Sequence, residues 1–358
     1  MSKVCIVGAG LSGLVCGMKL AKAGIEVVIF EELTYPGGLL ASTHIGSEYI
    51  ELLPHHLRRT DKSLQALMKE LGIDGKINWY DSFWYGRASR KKVGYIEGGF
   101  STLINVLIQT ITDNGGKIFY STCVSEISRT EDDKYITSCV LSDSRKYEVE
   151  SDYVIFTGSC RTFVNVSHGL PLSMNTRDQL MNITYQSRIC LMMLVKKLPT
   201  DAYIQLKFPP KSSVPFARIV NHSACFTDKK YGGNILYLVG KCQISDPLWV
   251  ESDQNVMEEY VRTYRKLYPL IKKSDIKSWR LTKVRYAVSE QFPEQDLTEP
   301  LENIFVCASA LTDHSTSDVP ENRMDKVAAL AADISSRIIS KEQKLRDERK
   351  EDVIITAI

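Results

Sequence analysis

The sequence predicts an α/β fold: a parallel-sheet domain with a glycine-rich turn near its start, interrupted by a second domain of mixed α+β character. Three observations predict it. The first thirty residues read as strand, helix, strand, with Gly8-Ala9-Gly10-Leu11-Ser12-Gly13 joining the first two. Two later runs, Tyr153 to Phe156 and Ile304 to Cys307, look like strands buried on both faces and return the chain to that sheet. Between them, residues from about 160 to 285 have a different texture, with longer strands and one strong helix.

Val4 to Val7 is a continuous apolar, β-branched run, as a strand covered on both sides requires. Leu11, Leu14, Val15 and Met18 recur at helical spacing until Gly24 stops the helix, and Val27 to Phe30 is the second strand. A helix follows from about Asp61 to Leu71. Thr60 or Asp61 supplies its cap, Leu64, Leu67, Met68 and Leu71 its apolar face, and Gly72 its end. Ser101 to Thr112 is another helix, closed by Asn114-Gly115-Gly116. Ile118 to Tyr120, Val124 to Ile127, Tyr135 to Leu141 and Lys146 to Val149, parted by polar turns, predict a β-meander. Later strands are expected at Arg188 to Val195, Pro215 to Asn221 and Asn234 to Lys241, with a helix from about Asp253 to Leu267. A last long helix starts near Pro320, and Lys341 to Asp352 alternates in charge as a solvated extension does. The expected division puts 1–75, 101–160 and 286–340 in the sheet domain, 76–100 and 161–285 in the second domain, and 341–358 in the extension.

A chain of 358 residues suits two joined domains. Its 44% hydrophobic and 25% charged content is that of a globular protein. Lys plus Arg (45) barely exceeds Asp plus Glu (43), so no excess charge draws the molecule to nucleic acid, and no such partner is expected. Nine cysteines include no CxxC pair, which argues against zinc, and no metal is expected. Most lie in apolar runs, as reduced core thiols do. The start shows no signal-peptide pattern, and runs such as Ile189 to Val195 are too short to span a membrane. The expected setting is cytoplasmic.

The glycine turn carries the chemistry. Gly8 allows the tight turn off the strand, Gly10 lets backbone approach a pyrophosphate, and Gly13 lets the helix pack on the sheet. Ala9, Leu11 and Ser12 complete the turn, and the helix start offers N–H groups to phosphate oxygens. Glu31 ends the second strand eighteen residues after Gly13, where a carboxylate accepts both ribose hydroxyls; Glu32 is the alternative. This pattern implies a dinucleotide, and by itself leaves FAD and NAD open.

Glu31 followed by Pro36-Gly37-Gly38-Leu39-Leu40-Ala41-Ser42 resembles the second glycine pair of the flavoprotein group that includes amine oxidases, protoporphyrinogen oxidase and phytoene desaturases. Glu97-Gly98-Gly99-Phe100 to Leu103, Gly116 to Ile127, Asp152 to Gly158 and Glu302 to Ser309 resemble further segments of that group. The resemblance implies a glutathione-reductase-like Rossmann domain holding FAD non-covalently. It implies cofactor contacts at Gly38, Leu39, Leu40, Val124, Thr157, Ser309 and Val319 beside those of the first turn. Leu39 stands where the group commonly has arginine, and Ala308-Ser309 where it has Gly-Asp.

Four residues are candidates for the chemistry itself. His55 and His56, in Glu51-Leu52-Leu53-Pro54-His55-His56, fall where the group's chain passes the flavin ring, and this segment also resembles the Gly-Pro-His stretch of UDP-galactopyranose mutases. Alternation from Arg280 to Arg285 puts Lys283 and Arg285 on one face, a cationic surface for an anionic small-molecule substrate, with Tyr286 beside it. Ser317 or Asp318 caps the last helix, whose dipole is aimed at the flavin in the resembling proteins. Trp79, Tyr80, Phe83, Trp84 and Tyr85 line a pocket or pack a core. The function expected is FAD-dependent oxidation of an amine or biosynthetic intermediate. A redox-neutral sugar-nucleotide mutase and a non-catalytic flavin-binding protein are the alternatives.

Overall fold

The computed structural model describes residues 2–84, 87–141, 143–199, 203–209, 212–226, 231–290, 293, 295–312 and 323–356. Strand β1 (Lys3–Val7), helix α1 (Leu11–Lys22) and strand β2 (Glu26–Phe30) form the opening unit, with β1 and β2 parallel. Val4, Cys5 and Ile6 are wholly buried, which is why the run holds no polar residue. An antiparallel pair, β3 (Ser42–Ile45) and β4 (Glu48–Glu51), precedes the short β5 (Leu57–Arg58) and helix α2 (Lys62–Glu70). Asp61 occupies the N-cap position of α2, but its carboxylate accepts the Arg58 N–H at 2.7 Å. The Leu64 N–H is taken instead by Asp325, from the far end of the chain, at 2.8 Å.

A hairpin of β6 (Ile77–Trp84) and β7 (Arg87–Ile96) leads to α3 (Ser101–Asp113) and β8 (Lys117–Phe119). The sequence assigns this last strand to the meander; it pairs instead with β2 in parallel, at the edge of the first sheet. The helix before it makes it the return arm of a crossover, which parallel pairing demands and turn spacing does not reveal. The meander proper is β9 (Thr122–Arg129), β10 (Tyr135–Leu141) and β11 (Lys146–Ser151). Strand β12 (Tyr153–Phe156) then returns to β1, and the short helices α4 (Cys160–Val166) and α5 (Met174–Met181) follow, capped by Ser159 and Ser173.

The second domain is built on β13 (Tyr185–Val195), β14 (Tyr203–Lys207), β15 (Arg218–Asn221) and β16 (Asn234–Cys242). Strand β15 starts at Arg218, later than the expected Pro215, a residue without the N–H a ladder uses. Helices α6 (Pro247–Val250) and α7 (Asp253–Leu267) lead to β17 (Ile276–Ser289), and β18 (Ile304–Val306) and α8 (Met324–Thr356) return to the first domain.

The first sheet has the order β18-β12-β1-β2-β8, all parallel; the second has the order β17-β13-β16-β15-β14-β6-β7-β5. Period-two alternation splits the second sheet cleanly. Ile189, Leu191, Leu236 and Leu238 pack on Val256, Tyr260 and Tyr264 of α7, while Cys190, Met192, Tyr237 and Val239 face the first domain. Helix α8 stays docked beyond the expected start of the extension: Lys341 pairs with Glu299 at 2.8 Å, and buried Glu342 accepts the hydroxyls of Ser2 (2.6 Å) and Tyr153 (2.9 Å). No helix among the described residues is long and apolar enough to cross a membrane.

Candidate cofactor and substrate site

The glycine turn is built as three different constraints. Gly8 has φ +104°, and a Cβ there would lie 2.4 Å from the Thr157 hydroxyl oxygen, itself fixed on the Val7 carbonyl at 2.8 Å. A Cβ on Gly13 would sit 2.0 Å from the Gly8 carbonyl oxygen, so the helix can lie this close to the strand only with glycine. Gly10 differs: its backbone is ordinary (φ −75°), and the nearest atom to an added Cβ is the Gly38 Cα at 3.8 Å. The space before Gly10 is thus open to a ligand, not filled by protein. The two glycine turns meet here, with Gly10 bridged to Gly37 and the Gly37 N–H donating to the Ala9 carbonyl at 2.9 Å. No side chain caps α1, so its first N–H groups remain available to phosphate oxygens.

The Glu31 carboxylate accepts the N–H groups of Ala9 (2.7 Å) and Leu33 (2.9 Å). Burial pushes its pKa up, and those N–H groups pull it part of the way back. A cavity of about 640 Å³ runs from Glu31 and Glu32 past Gly8, Gly10, Leu11 and Ser12, then past Gly38, Leu39 and Leu40 to the second sheet. Val124, Thr157, Ser309, His55, Arg285 and Tyr286 also line it. Ala9 and Gly13 lie behind the wall and shape it. Val319, with the expected caps Ser317 and Asp318, lies outside the described residues.

The two histidines part company. His55 lines the cavity and is buried, with Nδ1 at 2.9 Å from the Leu53 carbonyl; as that nitrogen must donate, Nε2 carries the lone pair. His56 points away, because strand-like backbone reverses successive side chains. It stacks on Phe226 (5.2 Å) and His222 (5.4 Å), with its Nε2 at 3.2 Å from His222 Nδ1. Burial holds both rings neutral, driving the His222 pKa down to about 3 and that of His56 well below its ordinary value.

Glu51 anchors the segment leading to His55. Its carboxylate accepts the Phe100 N–H (2.6 Å) and the Tyr95 hydroxyl (2.7 Å), and its carbonyl accepts the Tyr237 hydroxyl at 2.8 Å. Burial raises its pKa to about 7. Tyr95 and Tyr237 belong to the second sheet, so this acid fixes the 52–55 loop against that sheet.

Lys283 and Arg285 do not form a shared cationic face toward the cavity. The Lys283 ammonium donates to the carbonyls of Trp249 (3.0 Å) and Glu251 (2.6 Å), on the helix side of the sheet. Arg285 is exposed, its guanidinium 5.3 Å from the Tyr286 ring centre. The cavity-facing row of β17 is Thr282, Val284 and Tyr286. Buried arginines come instead from neighbouring strands: Arg188 on β13, Arg218 on β15, and Arg323 just before α8. Sequence reasoning missed all three. The signal was present for two, each an arginine at the start of an apolar strand and in phase with residues facing the first domain. Trp79 packs on the core beneath the Arg59 guanidinium (3.9 Å) and Tyr80 lies edge-on to Phe226; neither lines the cavity. The side chains of Phe83, Trp84 and Tyr85 lie outside the described residues.

A parallel-sheet dinucleotide domain whose cavity opens onto the face of a second, antiparallel-rich sheet defines a flavoprotein-type oxidoreductase fold. Residues 6–71 match the model of the NAD(P)-binding Rossmann-like domain. Residues 78–317 match that of the flavin-containing amine oxidoreductases, and the chain belongs to this family. Similar solved structures include a candidate protoporphyrinogen oxidase from Exiguobacterium sp. 255-15, with TM-score 0.77 and 12% identity over 95% of this chain and 99% of that one. Putrescine oxidase bound to putrescine gives TM-score 0.71 and 13% identity over 95% of this chain and 99% of that one. A fatty acid isomerase from P. acnes gives TM-score 0.67 and 14% identity over 94% of this chain and 98% of that one. The protein is an FAD-dependent oxidoreductase of the amine-oxidase type. Its glycine turns, the open space before Gly10, the uncapped α1 and the Glu31 carboxylate fit that cofactor.

Proposed function

We propose that the protein oxidises a small organic anion at a C–H or C–N bond, held between the 52–55 loop and the inner face of the second sheet. The observation that carries this reading is the single cavity that joins the phosphate turn to that face. FAD, when bound, accepts the hydride. Gly8 to Gly13, Glu31, Glu32, Gly38 to Leu40, Val124, Thr157 and Ser309 hold it, with Val319 assigned to its ring end. His55 exchanges a proton at Nε2 with substrate or reduced cofactor. His56 is a positioning residue that keeps the His55 backbone in place through its stack on His222 and Phe226. Tyr286 walls the substrate space, and Arg285 adds positive charge at its rim. Nine free cysteines support a reducing, cytoplasmic setting.

The test is an anaerobic screen of the purified yellow protein against amines, organic acids and their esters. Loss of the oxidised flavin's visible absorbance on mixing with one class supports oxidation. A protein that turns over only after its flavin has been chemically reduced would instead be a redox-neutral catalyst, and the reading fails.

A further inference from the structure

We infer that Arg188 and Arg218 form the substrate's anion-recognition pair, and that they commit the cavity to organic carboxylates and against protonated amines. This rests on the oxidoreductase reading above and names the substrate class for that site.

Both side chains are buried, at 2% and 8% exposure, and both line the cavity. Strand register shows that they share a face. Arg218 pairs with Val239, Val239 with Cys190, and Cys190 with Thr282; Arg188 is two residues before Cys190 and pairs with Val284. Residues two apart on a strand point the same way, so both arginines project from the face that carries Val239, Thr282 and Val284 into the cavity. Two strand spacings across and two residues along place their Cα atoms roughly 12 Å apart. Two long side chains can converge from that distance on one bound group.

A buried guanidinium is costly unless hydrogen-bonded and matched by an anion. Arg188 donates to two neutral acceptors, the Gln186 amide oxygen (2.6 Å) and the Ser187 carbonyl (3.0 Å). These fix the fork without neutralising it. Arg323, by contrast, is spent on the hydroxyl (2.6 Å) and carbonyl (2.9 Å) of Ser289. Among the described residues lining the cavity, the acidic ones are Glu31 and Glu32, both at the adenosine end. The sheet end therefore presents cations between apolar walls such as Leu53, Val239, Val284 and Val288. A carboxylate on an apolar body matches that surface, through the planar fork that suits bidentate binding. An alkylammonium meets like charges in a low dielectric and is repelled.

The experiment is an equilibrium titration of the holoenzyme with straight-chain monocarboxylates from butanoate to decanoate, and with the amines of equal length, followed by the visible flavin spectrum. Saturable perturbation by carboxylates, with amines at least tenfold weaker, is expected. Arg188→Gln and Arg218→Gln should each weaken carboxylate binding at least tenfold with FAD content unchanged. Arg188→Lys and Arg218→Lys, milder changes that serve where glutamine prevents folding, should weaken it severalfold by losing the fork. Amines that bind as tightly as carboxylates would overturn the inference, as would unchanged carboxylate affinity in the variants. Folded variants that lose FAD would also overturn it, by assigning the arginines to the cofactor. Bleaching by amines alone would leave the oxidoreductase reading intact and remove this one; carboxylate binding through these arginines, with no compound bleaching the flavin, would do the reverse.

Discussion

The Asp325 carboxylate accepts the Leu64 N–H at 2.8 Å, so the start of α2 is capped by the first turn of α8. The residue at the local cap position, Asp61, is turned back to Arg58. Asp325→Ala should lower stability by about 1 kcal/mol, the usual worth of an N-cap. Urea unfolding measures this, and FAD content should stay at the wild-type level, since Asp325 does not line the cavity.

The glycine turns predict two distinct failures. Gly10→Val places methyl groups in ligand space, so the protein should fold with wild-type circular dichroism and retain almost no FAD. Gly13→Ala drives a Cβ against the Gly8 carbonyl and should destabilise the fold itself by about 3 kcal/mol or more. Flavin content and thermal unfolding, measured on both variants, separate the two. A Gly10→Val protein that keeps its full colour would contradict this placement of the cofactor.

Glu31→Ala removes the acceptor for Ala9 and the partner for the ribose. FAD affinity should fall by about 2 kcal/mol, near thirtyfold, the worth of a hydrogen bond to a charged group. Flavin fluorescence on reconstituting the apoprotein gives the number.

Glu51 sets a pH dependence of known sign. Its carboxyl titrates at about 7 in the folded protein and near 4.3 in an unfolded chain (a reference value of about that size). Between those limits the folded state holds a proton that the unfolded state has released, so stability falls as pH rises through the window and levels off above it. The loss is roughly 3 kcal/mol. Asp61, raised to about 6, adds a smaller slope of the same sign at lower pH. Glu51→Gln mimics the protonated acid and should flatten the wild-type decline between pH 5 and pH 8 (about three units, covering the shift). Urea midpoints across that range are the readout; parallel curves for the two proteins would rule Glu51 out as the source.

The dinucleotide half was legible because its constraints are local. Strand, glycine spacing and acid sit within thirty-one residues, and each residue type is fixed by its own backbone or ligand contact. The substrate half was legible only as strands. Alternation correctly split Arg280 to Arg285 into two faces, but which face meets the cavity depends on α7, which covers the other one and ties down Lys283. Arg188 and Arg218 lie thirty residues apart and meet only through the ladder between β13, β16 and β15. No sequence window holds both. His55 and His56 were indistinguishable in sequence, and Phe226 and His222, which claim His56, lie more than 160 residues downstream.

The order of strands in the first sheet also governs when the molecule can become itself. Residues 3–7 lie beside 153–156, which lie beside 304–306, and α8 then ties Glu342 to Ser2. A nascent chain emerging from the ribosome can assemble the glycine turn early, but it must wait for its last strand and helix before the cradle has walls. Cofactor capture is therefore a late event in synthesis, and partial translation products should be colourless.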